Sequence, residues 1–272
     1  MTFTDNYEAD GYIFPLTAMA KTDALHYRDC IEQFETVNGE MSKTVRGYGS
    51  IAIDFIDQIS RLASILDAVS EILGPDLLVW GSSLFIKEPF TTDFVSWHQD
   101  LTYWGLSDNQ EVTAWIALTQ STIRNGCMRF IPGSHRTTAV EHRDTFSPLN
   151  MLSRGQELTV EVDETNAVDV VLEAGEFSLH HGHIFHASNP NRSNDRRIGL
   201  AIRYITPKMA PVGNTQHMVQ LVRGLDHYHH FELAPKPSGV MEPSDAERML
   251  RAEQLQAVYA YDGAAQAGKR RQ

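Results

Sequence analysis

Cysteine, basic residues and long apolar runs are all scarce in this chain of 272 residues. Two cysteines, Cys30 and Cys127, are too few for a disulfide framework and fit a reducing compartment. Lysine and arginine total 23 against 35 aspartates and glutamates, so the net charge is −12 with neutral histidines. Because nucleic-acid binders need a basic surface, this balance argues against nucleic acid as a partner.

No apolar run approaches the roughly 18 residues of a membrane-spanning helix, so no membrane partner is expected. The first ten residues are acidic and lack the charged-then-apolar pattern of a signal peptide, which favours a cytoplasmic protein. The composition, with 42% hydrophobic and 21% charged residues, is that of a globular chain. We therefore predict a single domain over residues 1–262 and a disordered tail over residues 263–272.

The hydrophobic pattern of residues 1–76 is helical. Helices are predicted over Thr22–Phe34 and over Ile51–Leu73, and Gly74-Pro75 ends the second. Apolar residues in the second helix are spaced alternately four and three apart, which predicts one buried stripe on a helix. The stripe consists of Phe55, Ile59, Leu62, Leu66, Val69 and Leu73.

Over residues 77–205 the pattern changes to short segments rich in β-branched and aromatic residues, many of them separated by turn residues. Because no helical pattern alternates with them, a mainly β sandwich or barrel is predicted. The predicted strands are Leu77–Glu88, Phe94–Asp100, Glu111–Thr119, Cys127–Ser134, Val168–Glu173, Phe177–Gly182, His183–Asn189 and Arg197–Ile205.

Two further segments lie within or after this β region. The polar stretch Arg136–Glu161 is poorly periodic and has the length of a lid or binding loop. Residues 206–262 are predicted to form a loop and a closing helix, because Ser244 and Glu247 make a capping-box pattern ahead of Met249–Tyr261.

The pair His98 and Asp100 is the first candidate for chemistry. On a strand, residues two apart point to the same side, so an imidazole and a carboxylate would project together. Nitrogen and oxygen ligands suit Fe(II), Mn(II) or Zn(II). His142 and Asp144 repeat this spacing, but they lie in the polar stretch, and we interpret them as unrelated to a metal.

A third ligand would come from another strand. The segment Leu179–His186 offers four histidines, and periodicity does not choose among them. The candidates are His180, His181, His183 and His186.

Three sequence blocks, in order, resemble the phytanoyl-CoA dioxygenase family of Fe(II)- and 2-oxoglutarate-dependent oxygenases. The resemblance runs roughly from Leu77 to Tyr204. The blocks are Trp97-His98-Gln99-Asp100-Leu101, then Asn125-Gly126-Cys127-Met128-Arg129-Phe130-Ile131-Pro132-Gly133-Ser134-His135, and finally Phe185-His186-Ala187-Ser188 followed by Arg197.

The resemblance implies a double-stranded β-helix, also called a jelly roll or cupin-like fold, with flanking helices. It implies His98, Asp100 and His186 as the metal ligands, because the family places the distal histidine eleven residues before an arginine that binds 2-oxoglutarate. Here that arginine is Arg197. The resemblance also implies that Ser188 assists Arg197 and that Lys87 and Trp115 line the cosubstrate pocket.

Residues beside these motifs complete the expected site. Gly199 and Ala201 share a strand face with Arg197, and their small side chains are expected to leave room for a dicarboxylate. Arg203 breaks this pattern and is explained only as a second polar contact. Tyr103, Trp104 and Arg129 are candidates for binding substrate, His135 for a mainly structural role, and His227, His229 and His230 for a surface or lid.

The function that the resemblance implies is a dioxygenase that uses Fe(II), 2-oxoglutarate and O2 and releases succinate and CO2. We expect hydroxylation of a small-molecule or natural-product substrate. Chlorination is not expected, because related halogenases replace the carboxylate that Asp100 supplies here. Two alternatives use the same two-histidine, one-carboxylate set: a metal-dependent hydrolase and a non-catalytic barrel protein. The sequence names neither the substrate nor the oligomeric state.

Overall fold

A computed structural model describes residues 2–137, 139–213 and 215–260, with only the backbone described for Tyr103 and residues 257–260. The predicted tail, residues 263–272, lies outside the described residues. The helices in the described part are α1 Phe3–Asp10, α2 Lys21–Asn38, α3 Met41–Val45, α4 Gly49–Ala52, α5 Asp54–Ser60, α6 Ala63–Leu73 and α7 Pro243–Ala260. Not one of these described helices has both the length and the apolar character to cross a membrane.

The strands lie between α1 and α2 and, in larger number, between α6 and α7, and short 3-10 turns lie at Leu101–Tyr103, Ser134–Arg136 and Glu164–Asn166. The strands are β1 Tyr12–Thr17, β2 Leu77–Lys87, β3 Val95–His98, β4 Glu111–Ala117, β5 Met128–Phe130, β6 His142–Asp144, β7 Gln156–Leu158, β8 Val168–Val170, β9 Glu176–His180, β10 His186–Ser188, β11 Arg197–Ile205, β12 Met218–Arg223 and β13 Glu232–Leu233.

Two sheets face each other across an interior that is lined from both sides. The larger sheet has the order β1-β9-β4-β11-β2-β12-β13, and the smaller has the order β3-β10-β5-β8. All neighbours are antiparallel except β12 and β13. This arrangement is a jelly roll with flanking helices, which confirms the predicted fold class.

Strand β11 lies inside the larger sheet, between β4 and β2, and it separates two environments. Its even-numbered residues, such as Ile202 and Tyr204, are buried against the helices. The odd-numbered residues Arg197, Ala201 and Arg203 line the space between the sheets. The predicted alternation of faces along this strand is therefore confirmed.

The helix predicted over residues 51–73 is interrupted twice. Ile53 is extended and pairs with Val240, while the amide of Asp54 donates to the carbonyl of Gly239. Leu62 is also non-helical and is the N-cap of α6, which starts at the next residue. Tertiary pairing with the segment before α7 thus overrides a local helical pattern, which is the usual limit of propensity arguments.

Each of the eight predicted strand segments contains a strand, but β1, β6, β7, β12 and β13 were not predicted. Strand β1 lies in the region read as helical and carries Pro15, which has no amide to donate. Proline is tolerated there because β1 is the edge of the larger sheet. The polar stretch between Arg136 and Glu161 contains the β6–β7 hairpin, so it is not a free loop.

Candidate metal centre and anion pocket

His98 and His186 face each other across two paired strands of the smaller sheet. They are register partners at the end of β3 and the start of β10, and their ring centroids are 4.0 Å apart. Nδ1 of His98 lies 2.9 Å from the carbonyl oxygen of Ser96, and Nδ1 of His186 lies 3.1 Å from that of Ile184. Because a carbonyl only accepts, each Nδ1 carries the proton and each Nε2 keeps its lone pair for a ligand.

Asp100 reaches the two histidines from beyond the end of β3. The sequence analysis placed it on the strand, but its backbone is helical, and its amide donates to the carbonyl of Gly182 at 2.8 Å. This turn brings Oδ1 to 3.3 Å from Nε2 of His98 and 3.9 Å from Nε2 of His186. The two-residue spacing therefore predicts correctly that Asp100 lies beside His98, but a turn after β3, rather than the strand itself, brings the two side chains together.

The three side chains fit a metal ion. One donor atom from each lies within 4.8 Å of the others, and in the described residues no other group of three or more such side chains meets this criterion. His98 and His186 are buried, and Asp100 is nearly so. Two imidazole nitrogens and one carboxylate on one side of an ion are the donor set of non-haem Fe(II) oxygenases.

Burial and neighbouring groups keep Asp100 and His186 in the protonation states that bind a metal. Burial alone would raise the pKa of Asp100, but the electrostatic influence of His186, Arg203 and His98 lowers it below its usual range. Burial holds the pKa of His186 well below its usual value. An ionised carboxylate and a neutral imidazole are the protonation states that bind metal.

The other three histidines of Leu179–His186 are not part of the triad. His180 lines the same space between the sheets, with its ring 5.1 Å from that of His186. The ring centroid of His181 lies 5.4 Å from that of His183 and 5.5 Å from that of His135, and both pairs of rings are tilted. His227, His229 and His230 are exposed, as predicted for a surface cluster.

Gln99, between the two ligand residues, is fully buried and joins three segments. Its side-chain amide donates to the carbonyl of His183 at 2.9 Å and accepts from the amide of Val140 at 2.8 Å. Its backbone amide donates to Nε2 of His142 at 3.0 Å. His142 is thus outside the triad, as predicted, but it holds the backbone of the metal motif.

A cavity opens beside the triad, between the two sheets. Besides the three triad residues, it is lined by Phe85, Val95, Thr113, Trp115, Met128, His180, Ala187, Ser188, Arg197, Ala201 and Arg203.

One end of the cavity concentrates positive charge. Arg197 and Lys87 are register partners on β11 and β2, and they are 1% and 0% exposed. Nζ of Lys87 donates to Oγ of Ser188 at 2.6 Å, and a guanidinium nitrogen of Arg197 donates to the carbonyl of Gly126 at 2.6 Å. Nε of Arg197 is buried without a hydrogen-bond partner.

Burial lowers the pKa of both side chains, because it removes the water that stabilises their charged forms. Burial, with the adjacent Arg197, lowers the pKa of Lys87 to about 6, and burial lowers the pKa of Arg197 to about 10. Neither side chain forms an ion pair with a carboxylate among the described residues. Two buried cations without a protein counter-ion constitute an anion pocket.

Trp115 forms one wall of this pocket. The guanidinium carbon of Arg197 lies 5.2 Å from the centroid of its ring. The indole also occupies the place where a Cβ at Gly199 would lie. The expectation that Gly199 leaves room for a dicarboxylate is corrected here, because the small residue admits the tryptophan.

Trp104 and Arg129, two of the three expected substrate residues, do not line the cavity. Trp104 is buried against Trp80, with ring centroids 4.8 Å apart. Arg129 is paired with Glu164 at 2.6 Å and with Asp169 at 3.5 Å. The side chain of Tyr103 lies outside the described part of the structure.

The sequence patterns gave Glu111 no role and gave Arg203 only an unspecified polar contact. Glu111 has a fully buried carboxylate group that accepts from the amide of Gly182, and burial raises its pKa well above the usual range. Arg203 lines the cavity, with Nε 3.9 Å from Oδ2 of Asp100. The shared face of Arg197 and Arg203 on one strand was the signal that could have placed Arg203 here.

The close approach at Gly199 predicts the effect of Gly199→Ala. An added methyl must displace the Trp115 indole, which we expect to destabilise the fold by about 1–3 kcal/mol. Gly47→Ala is the matched control, because a Cβ at Gly47 meets nothing within 4 Å. Urea unfolding measures both, and equal stability of the two variants would contradict this packing.

A family model described as phytanoyl-CoA dioxygenase (PhyH) matches residues 19–199. A probable alpha-ketoglutarate-dependent hypophosphite dioxygenase of Stutzerimonas stutzeri is 30% identical over 184 residues, which cover 66% of this chain and 64% of that protein. The chain thus spans slightly less than two thirds of that relative.

Solved structures extend the similarity over nearly the whole chain. The apo structure of ThoJ, described as a non-heme monooxygenase, is 32% identical with a TM-score of 0.85, covering 96% of this chain and 98% of that one. A structure of CytC3 with Fe(II) and alpha-ketoglutarate is 23% identical with a TM-score of 0.66, covering 88% and 94%, and supports the fold alone. Because the family model matches more than half of the chain, this protein belongs to the phytanoyl-CoA dioxygenase family.

Proposed function

We propose that this protein is a non-haem Fe(II)- and 2-oxoglutarate-dependent dioxygenase that hydroxylates a small-molecule substrate. The observation that carries the proposal is one cavity that is lined by the His98, Asp100 and His186 triad, by the buried Arg197 and by Ser188, to which the buried Lys87 donates a hydrogen bond. The triad supplies three ligands, and the cations suit the far carboxylate of a keto-diacid. Residues 1–262 form the single oxygenase domain in this proposal.

The triad residues would hold Fe(II) through Nε2 of His98, Nε2 of His186 and a carboxylate oxygen of Asp100. Bound Fe(II) supplies the O2 chemistry by which 2-oxoglutarate is oxidatively decarboxylated and substrate is oxidised. Asp100 is the carboxylate ligand, so the reaction is hydroxylation or another oxidation rather than chlorination. The carbonyls of Ser96 and Ile184 keep both imidazoles in the tautomer that binds metal through Nε2.

Arg197, Lys87 and Ser188 bind and orient the cosubstrate. The planar guanidinium presents two donors to one carboxylate, and the buried ammonium adds a second positive charge. Ser188 accepts a hydrogen bond from Lys87, which leaves its hydroxyl proton available for the cosubstrate. Trp115 excludes water from this end of the cavity.

Two alternatives use the same triad. A metal-dependent hydrolase gives no role to Arg197 and Lys87, and a non-catalytic barrel protein releases no product. Succinate release with added Fe(II), O2 and 2-oxoglutarate distinguishes the dioxygenase from both alternatives, because succinate forms only by oxidative decarboxylation of 2-oxoglutarate. Release that stops when O2 is withheld supports the dioxygenase, and no release with all three present contradicts it.

We further propose a cytoplasmic enzyme that binds no nucleic acid. The support is the net charge of −12 and two cysteines that are both free thiols.

The first prediction concerns the choice among the four histidines. His186→Ala removes one of three ligands, so we expect loss of Fe(II) binding and of succinate formation. His183→Ala is the matched control and should retain both, because His183 lies outside the triad. Metal content after dialysis and succinate release measure the pair. Inactive His183→Ala alongside normal His186→Ala would overturn the assignment.

The second prediction concerns the cosubstrate arginine. Arg197→Ala removes charged hydrogen bonds to the cosubstrate, so the KM for 2-oxoglutarate should rise about ten- to hundredfold. Its neighbour Arg196 pairs with Glu35 and Glu88 instead. Arg196→Ala should therefore leave that KM within about twofold, and a similar rise in both variants would count against the pocket.

The third prediction follows from the lowered pKa of Lys87. Near pH 7.5 this group is mostly neutral in the free protein, because its pKa is about 6. A bound dianion favours the charged form, so binding takes up a proton and the affinity for 2-oxoglutarate rises as pH falls from 8 toward 6. Below pH 6 the affinity for 2-oxoglutarate stops rising, because Lys87 is already charged in the free protein.

Calorimetry of the Zn(II)-loaded protein in two buffers of different ionisation enthalpy measures this uptake. We expect about half a proton or more per 2-oxoglutarate at pH 7.5. Lys87→Met should abolish the uptake; the same uptake in that variant would show that another group titrates.

A further inference from the structure

Three unsatisfied polar groups stand in a row across the larger sheet, on its cavity side. Arg203 on β11 is the register partner of Thr113 on β4, which is in turn the register partner of His180 on β9. All three line the cavity. Nε of Arg203, Oγ1 of Thr113 and Nδ1 of His180 are each buried without a hydrogen-bond partner.

Because this row is buried, its missing hydrogen bonds cost free energy. Thr113 and His180 are 1% and 2% exposed, and the side chain of Arg203 is 12% exposed. An unsatisfied buried donor costs about 1–3 kcal/mol, so native proteins rarely leave three together. Such a cluster in a cavity indicates that a ligand supplies the missing acceptors.

Arg203 is only loosely held by the protein. It donates one hydrogen bond to Oγ of Ser83 at 2.9 Å, and its guanidinium carbon lies 5.7 Å from the centroid of the Trp104 ring. Asp100, at 3.9 Å, is beyond hydrogen-bond distance. Most of the five N–H donors of this guanidinium are therefore available to a ligand.

The charge of the cavity favours an anion in this position. In the proposed holoenzyme the dication of the metal is offset by the dianionic cosubstrate, and Asp100 offsets one arginine. A second arginine then remains as uncompensated positive charge. A neutral or cationic occupant would leave this charge buried, whereas an oxyanion would offset part of it.

We propose that Arg203, Thr113 and His180 form a second oxyanion subsite, separate from the pocket of Arg197 and Lys87. It takes a carboxylate or a phosphate-like group, with Arg203 as the charged partner and Thr113 and His180 as neutral hydrogen-bonding partners. The assignment rests on the proposed function. The oxyanion belongs either to the primary substrate or to the keto-acid end of 2-oxoglutarate.

The experiment uses the full chain loaded with Zn(II), which occupies the triad without turnover. Acetate is the probe, its neutral isostere acetamide is the control ligand, and ligand-observed NMR measures both with and without saturating 2-oxoglutarate. The variants are Arg203→Gln and the milder Thr113→Val. Thr102→Val is the matched control, because its hydroxyl is also buried without a partner but does not line the cavity.

If the substrate supplies the oxyanion, acetate binds alongside 2-oxoglutarate. Thr113→Val and Arg203→Gln then weaken the binding of acetate at least about fivefold, because each variant loses one or more hydrogen bonds to it. Thr102→Val leaves the binding of acetate unchanged. If the keto-acid end supplies it, 2-oxoglutarate displaces acetate, and the same two variants weaken 2-oxoglutarate instead. In both cases acetamide binds at least about fivefold more weakly than acetate.

Unchanged affinity for both ligands in Thr113→Val and Arg203→Gln would overturn the subsite, as would equal binding of acetate and acetamide. Loss of Zn(II) from Arg203→Gln with normal Thr113→Val would also overturn it, since Arg203 would then act only through Asp100. Failure of the unaltered protein to bind Zn(II) and 2-oxoglutarate would instead contradict the proposed function.

Discussion

The candidate site depends on the pairing of two short strands, β3 and β10, in one register. That register places His98 opposite His186, and a shift by one residue would turn one imidazole to the other face of the sheet. Asp100 is added by a single backbone contact, because the carbonyl of Gly182 accepts from its amide. Backbone hydrogen bonds thus fix the separation of the three donors before any metal is present.

Support for this arrangement comes from outside the smaller sheet. The buried carboxylate group of Glu111 accepts from the amide of Gly182, whose carbonyl in turn holds Asp100. His142 and Gln99 tie the β6–β7 hairpin to the metal motif. The polar stretch that reads as a loop therefore contributes positioning contacts, which explains why it is folded and packed against β3.

The same fold accepts buried positive charge that its own side chains do not neutralise. Arg197 lines the cavity beside Ser188, which accepts a hydrogen bond from the buried Lys87, and Arg203 lies near the triad with Nε 3.9 Å from Asp100. Such groups reduce the stability of the ligand-free protein, because burial disfavours their charged forms. The arrangement is preorganised for anions, which recover this energy on binding.

Side-chain periodicity and spacing predicted the mainly β class, the eight core strand segments, and His98 and Asp100 as neighbours, because these are local properties of the chain. Motif resemblance added His186 and Arg197, which periodicity left open. Four features became visible only in the folded chain: the break at Ile53, the edge strand that contains Pro15, the packing of Trp115 against Gly199, and the row from Arg203 to His180. These features arise from contacts between residues far apart in the chain, and a local pattern carries no information about which distant segment will supply the partner.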